Sequence, residues 1–75
     1  MNCYAKDLKP GYLICGHYNG WLEVRKVERD RSLANQAAKN QFVKDMKITI
    51  FCRLTGMTYT EEVNSHAVYK DVVEG

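Results

Sequence analysis

The sequence lacks the features that mark membrane-spanning or exported chains. No apolar segment approaches the ~20 residues that a helix needs to cross a bilayer. The longest uncharged stretch, residues 10–22, is interrupted by Gly, His and Asn. The first residues, MNCYAKD, contain no basic region followed by an apolar block, which a signal peptide would have. We therefore expect a cytoplasmic protein with no membrane contact.

Cysteines are few, odd in number and irregularly spaced, at Cys3, Cys15 and Cys52. Disulfide scaffolds have even numbers of cysteines at regular spacings, so we expect reduced thiols, as in cytoplasmic proteins. The paired Cys-x-x-Cys spacing of structural zinc sites is also missing. The side chains of Cys15, Cys52, His17 and His66 could together supply four zinc ligands. Because their spacing does not match that of structural zinc sites, we interpret Cys15 and Cys52 as small buried residues. We expect no metal and no cofactor.

The chain is also too short to enclose a substrate in a deep cleft. Its 75 residues form one small domain, 1–75, and such a chain buries only ~60% of its unfolded surface. A nucleophile pair such as Cys52 with His66, or Cys15 with His17, needs a neighbouring oxyanion site. No nucleophile elbow or glycine-rich cradle is present. The sequence therefore predicts a protein that is not an enzyme.

A series of short strand patterns separated by turns is present instead. Lys9-Pro10-Gly11 predicts a turn, because Pro fixes φ and Gly tolerates a positive φ. Residues 12–18 predict the first strand, and Asn19-Gly20 is the strongest short hairpin signal, since a type I′ turn needs positive φ twice. Residues 21–29 predict the returning strand. The opening third of the chain is thus predicted to be a tight hairpin.

The returning strand changes its spacing part-way along. Leu22 and Val24 are two residues apart, whereas Val27 follows three residues later, and we expect all three to face inward. An extra residue in one strand of a pair produces this shift, so the spacing predicts a bulge near Arg25. Bends of this kind close small sheets into barrels.

The rest of the chain predicts an insertion and three further strands. Residues 31–43 predict a loop with one or two helical turns, with Ser32 as the N-cap. Alternation predicts a strand over 46–55, and shorter strands follow over 58–63 and 66–73. The inward residues of 46–55 are expected to be Met46, Ile48, Ile50, Cys52 and Leu54. The fold class predicted is all-β: a small five-stranded antiparallel SH3-like barrel with a short helical or loop insertion.

Three segments in order, DLKPGYLI, WLEVRKVE and KITIFCRLTGMTYTEEV, resemble small SH3-like barrels, and among these the N-terminal barrel of translation elongation factor P. The resemblance covers residues 5–69 and includes the Asp-Leu-x-x-Gly opening and the Thr-Gly turn. That family carries a Gly-Lys-Gly tip whose lysine acts at the ribosome. Here the excursion reads NQAAKNQF without either glycine, and Lys39 is the remaining candidate. The chain also resembles short stand-alone barrel proteins of bacteriophages and bacteria, which implies a small accessory protein.

Aromatic residues are more numerous than one thin core can bury, with five Tyr, two Phe and one Trp. Exposed Tyr and Trp are frequent hot-spot residues in interfaces, so we expect a non-catalytic module that docks on a protein partner. Trp is also highly buried on average, so a core-capping position is the favoured interpretation of Trp21, and a partner contact is its alternative. The residues expected to contact the partner are Tyr18, Trp21, Arg25, Arg29, Arg31 and Lys39.

Two other binding modes remain open. Small barrels bind single-stranded RNA or DNA through stacked aromatics and basic side chains, and both are present. However, Glu23, Glu28, Asp30 and Asp45 lie among the cations, and the net charge of +2 offers little for phosphate binding. An open barrel also leaves edge strands that could pair with a second copy of the chain.

Overall fold

Two antiparallel sheets contain the strands of the computed structural model, which describes residues 1–16, 18 and 20–75. The strands are β1 (Cys3–Tyr4), β2 (Leu13–Cys15), β3 (Trp21–Arg29), β4 (Met46–Cys52), β5 (Thr58–Val63) and β6 (Val68–Tyr69). Short 3-10 helices span Ala5–Asp7 and Arg31–Leu33, and the α-helix α1 spans Ala34–Lys39. None of the helices in these ranges is long and apolar enough to cross a membrane.

The larger sheet is a meander in the order β2-β3-β4-β5, and β1 pairs with β6 in a separate two-stranded sheet. A single bridge between Leu13 and Val73 brings the end of the chain back to β2. The all-β class is therefore confirmed, but the two sheets do not form a closed five-stranded barrel in the described part of the chain. The predicted strand 66–73 is reduced to β6, because Asp71 adopts a left-handed φ of 57° that ends the extended conformation.

The core lies on one face of the meander, which we call the inner face. Val24, Ile48 and Ile50 are fully buried there and belong to one apolar cluster with Leu8 and Val72. The alternation in β4 confirms the predicted inward positions from Met46 to Cys52. Leu54 was predicted with them but is 71% exposed, because β4 ends at Cys52 and the chain turns there.

β3 has the predicted bounds and the predicted irregularity. Its pairing with β4 shifts register between Val24 and Lys26, which leaves Arg25 as the extra residue of a bulge. β2 is shorter than predicted. The hairpin turn was predicted at Asn19-Gly20; Asn19 lies outside the described residues, whereas Gly20 has the positive φ, 69°, that such a turn requires.

The insertion over 31–43 contains the predicted helical turns, but its cap is different. Asp30, and not Ser32, caps the first turn: its Oδ1 accepts hydrogen bonds from the Ser32 amide at 3.0 Å and from the Ser32 hydroxyl at 2.6 Å. One buried side chain then fixes the insertion to the sheet. The Asn64 amide nitrogen donates to the carbonyl oxygens of Ala37, Asn40 and Val43 at 2.9–3.0 Å.

Candidate functional site

The face of the meander opposite the core carries a small aromatic and cationic surface. Strand register places Trp21 opposite Cys15, and Glu23 opposite both Leu13 and Phe51. Side chains alternate across a strand, so Trp21, Glu23 and Phe51 share this outer face. Arg53 joins them through an ion pair with Glu23. We call Trp21, Glu23, Arg25, Phe51 and Arg53 the docking face.

Glu23 stands at the centre of the docking face and holds two arginines. Its Oε2 lies 2.5 Å from the Arg25 Nε, and its Oε1 lies 2.9 Å from the Arg53 Nη2. The hydrogen bond from Arg53 and the nearby positive charges lower the pKa of the Glu23 carboxyl. Glu23 is therefore ionised at neutral pH, and one positive charge remains in excess at the centre of the face.

The bulge determines where Arg25 points. Its guanidinium carbon lies 4.5 Å from the centroid of the Phe51 ring, which is cation–π distance. An extra residue in a strand re-aims its side chain, and here the result is a guanidinium that covers a half-buried ring. Arg25 thus contacts both an aromatic ring and a carboxylate.

Trp21 lies two residues before Glu23 on the same face, at the end of β3 next to the hairpin turn. It is 45% exposed and is not a core residue. Tyr18, in the turn, is fully exposed, and Leu54 is exposed in the adjacent turn between β4 and β5. Large apolar side chains are therefore exposed at the hairpin end of the meander.

The structure brings together only some of the residues predicted from the sequence. Trp21 and Arg25 lie on the docking face and Tyr18 lies in the turn before β3, whereas Arg31 and Lys39 lie in the insertion, beyond the other end of β3. Arg29 follows the bulge and turns toward the inner face, where its Nε lies 3.5 Å from Asp45 Oδ2.

Glu23, Phe51 and Arg53 are not among the residues that the sequence predicts to contact a protein partner, although Phe51 and Arg53 are among its aromatic and basic candidates for nucleic-acid binding. The alternation of KITIFCR does place Phe51 and Arg53 opposite the core face. The missing information was the pairing of β3 with β4, which brings Glu23 beside Phe51. That pairing joins residues about 30 positions apart and has no local signal.

Asp45, Ser65 and His66 form a second polar cluster near the insertion. Ser65 Oγ lies 3.2 Å from His66 Nδ1, but Asp45 Oδ1 accepts its hydrogen bond from the Ser65 amide, at 2.7 Å. In a catalytic triad the carboxylate orients the histidine, and the nucleophile must be accessible. Ser65 is fully buried, so this cluster does not have the geometry of a nucleophilic site.

Known proteins give no further guide to the site. A scan against protein-family models and searches of curated proteins and of solved structures found no match to this chain. Among the described residues, no group of three or more His, Cys, Asp or Glu side chains could hold a metal ion. His17, one of the four candidate zinc ligands, lies outside the described residues. The docking face is the surface on which a functional assignment can be based.

Proposed function

We propose that this protein is a non-catalytic binding module that docks on a protein partner through the docking face. The observation that supports the proposal is Trp21, which is 45% exposed on the same face of the sheet as two arginines that share one carboxylate. Trp and Arg are enriched among the residues that contribute most to binding. Because Glu23 pairs with both arginines, their guanidinium groups are held in place before a partner arrives, which reduces the entropy lost on binding.

The charge of the face indicates the chemistry of the partner. Two guanidinium groups around one carboxylate favour an incoming acidic side chain, and Trp21 favours an apolar side chain next to it. A run of phosphates would instead meet Glu23 at the centre of the surface. The exposed Trp and the cations also suit a single-stranded nucleic acid, so this is the alternative function.

We also propose that the fold is an open variant of an SH3-like barrel and that the protein acts in the cytoplasm. The four-stranded meander, the bulge at Arg25 and the return of Val73 to β2 support the first part. The second part is supported by the odd number and irregular spacing of the cysteines, which do not suit the disulfide scaffold of an exported protein.

The test is capture of partners from a cell lysate by the tagged protein, with and without nuclease, followed by mass spectrometry. We expect a stoichiometric protein that survives nuclease and is lost with Trp21→Ala. Tyr4→Ala is the matched control, because Tyr4 is an aromatic residue of similar exposure, 47%, on the other sheet. The control should retain the partner.

Two results would contradict the proposal. If capture disappears with nuclease and weakens steeply with salt, the alternative of nucleic-acid binding is favoured. If Tyr4→Ala and Trp21→Ala reduce capture equally, the docking face is not the contact surface. Circular dichroism of both variants establishes that each one is folded.

A further inference from the structure

β5 is the terminal strand of the meander, and half of its backbone groups point away from the sheet. The Cys52 amide donates to the Met57 carbonyl at 2.9 Å, in the same register as the Ile50–Tyr59 and Ile48–Glu61 pairs. Because hydrogen-bonded pairs alternate in an antiparallel ladder, the N–H and C=O groups of Thr58, Thr60 and Glu62 point outward. Among the described residues, no backbone bond outside the ladders involves these three.

An open groove of about 1050 Å³ runs beside this edge. It is lined by insertion residues between 37 and 44, by Glu61 and Val63 of β5, and by residues 66–69. Phe42 is 77% exposed on the insertion wall. At the other end of β5, Met57 is 63% exposed. A large exposed apolar side chain and a groove whose wall carries the exposed Phe42 side chain thus lie at opposite ends of the same edge strand.

Two copies of β5 can pair in antiparallel orientation around a two-fold axis at Thr60. In that arrangement every outward N–H and C=O group of β5 forms a hydrogen bond with the other copy. In this register Thr60 lies opposite the partner's Thr60, and Thr58 lies opposite the partner's Glu62. No two glutamates are then directly opposite. A shift of the axis to Glu61 would place that carboxylate against the partner's Glu61, which is unfavourable, and would leave outward groups unpaired.

The same register places Met57 opposite the partner's Val63, which lines the groove. Met57 lies two residues before Tyr59, so continued alternation directs its side chain to the side of β5 on which Glu61 and Val63 lie. Met57 would then enter the groove beside the partner's Phe42, and the two-fold axis repeats this contact. We therefore propose that two copies of the chain associate through β5, with Met57 of each copy in the groove of the other.

The proposal is tested by measuring mass against concentration for the full chain, by analytical ultracentrifugation. We expect the mass to rise from 8.7 kDa toward twice that value at concentrations from about 10 µM upward. Thr60→Pro removes an outward N–H that β4 does not use, and proline is tolerated at such edge positions. It should weaken association at least about tenfold, whereas Thr60→Ser, which keeps the N–H, should not.

Met57→Ser gives a second measurement that does not depend on a proline in a strand. It removes the apolar side chain that would enter the partner's groove, and Met57 is 63% exposed in the single chain, so we expect a folded chain with weaker association. A wild-type chain that stays at the monomer mass at about 1 mM would overturn the proposal. Association unchanged in both Thr60→Pro and Met57→Ser would also overturn it.

Cross-linking tests the register. In a Cys15→Ser background, Thr60→Cys should form a disulfide between copies, because facing Cα atoms in such a pair are about 5.5 Å apart. Thr49→Cys is the matched control, since Thr49 pairs with Thr60 but lies one strand inside the sheet. Equal cross-linking by the two variants would contradict the register. Trp21→Ala should leave association unchanged, which separates this proposal from the docking face.

Discussion

At the scale of single residues, Asp45 is the one charged residue that is buried in the part of the chain that the structure describes. Its side chain has no solvent exposure, and its Oδ1 accepts a hydrogen bond from the Ser65 amide. Arg29 faces the other oxygen, Oδ2, at 3.5 Å. Burial raises the pKa of this carboxyl, but the hydrogen bonds from Ser65 and the charge of Arg29 outweigh burial, so the pKa is lowered overall.

The lowered pKa predicts how stability depends on pH. A carboxyl whose pKa is lower in the folded state stabilises the fold above its unfolded value, which is about 3.9 for Asp. This contribution is lost as the pH falls through the folded value. We expect the free energy of unfolding of the wild type to decrease below about pH 4, and Asp45→Asn to decrease less steeply. Urea unfolding across the acid range measures both slopes, and equal slopes would contradict the prediction.

Arg29 illustrates what the sequence contained about this cluster. It was predicted as a partner contact, yet it anchors Asp45 on the inner side. The predicted bulge near Arg25 already turned Val27 inward, and Arg29 lies two residues further along the same strand. The face of Arg29 was therefore predictable from the spacing, whereas its pairing with Asp45 required the register of β3 with β4.

At the scale of elements, the insertion over 31–43 is attached to the sheet by the side-chain amide of Asn64. The Asn64 side-chain nitrogen has two hydrogens and three carbonyl acceptors, all within the segment from Ala37 to Val43. Its Oδ1 accepts a hydrogen bond from the His66 amide at 2.8 Å. Helical turns this short are not stable alone, so this attachment stabilises the ordered conformation of the insertion.

Replacing the amide by a carboxylate should release the insertion. Asn64→Asp removes every side-chain donor and places an oxygen against three carbonyl oxygens in a buried site. We expect a loss of roughly 2–3 kcal/mol of unfolding free energy, the cost of leaving buried polar groups unsatisfied. Chemical denaturation measures the loss. Asn35→Asp, at an exposed position of α1, is the matched control, and a comparable loss in both variants would contradict the prediction.

At the scale of the whole molecule, contacts between distant parts of the chain decide the architecture. Met1 and Val72 exchange backbone hydrogen bonds at 2.6 and 2.9 Å, and β1 pairs with β6. Local patterns predicted β3 and β5 with the observed bounds, because each has its own alternation and turns. They did not predict β1, because two residues carry no period, and its pairing depends on residues more than 60 positions away.

Val72 tests the importance of these distant contacts. Its side chain is 2% exposed in the core, whereas its neighbour Val73 is 44% exposed. We expect Val72→Ala to reduce the unfolding free energy by about 2 kcal/mol, since a fully buried valine contributes roughly this amount. Val73→Ala should change it far less. Equal losses in thermal or chemical unfolding would show that the end of the chain does not complete the core.

The position of Trp21 gives the protein an intrinsic optical probe. It is the only tryptophan of the chain, and it lies half-exposed on the surface rather than in the core. Its fluorescence emission should resemble that of an indole in contact with water and should be accessible to iodide. Binding of a partner over this ring would shift the emission to shorter wavelength and reduce quenching, so affinities can be measured on the unlabelled protein.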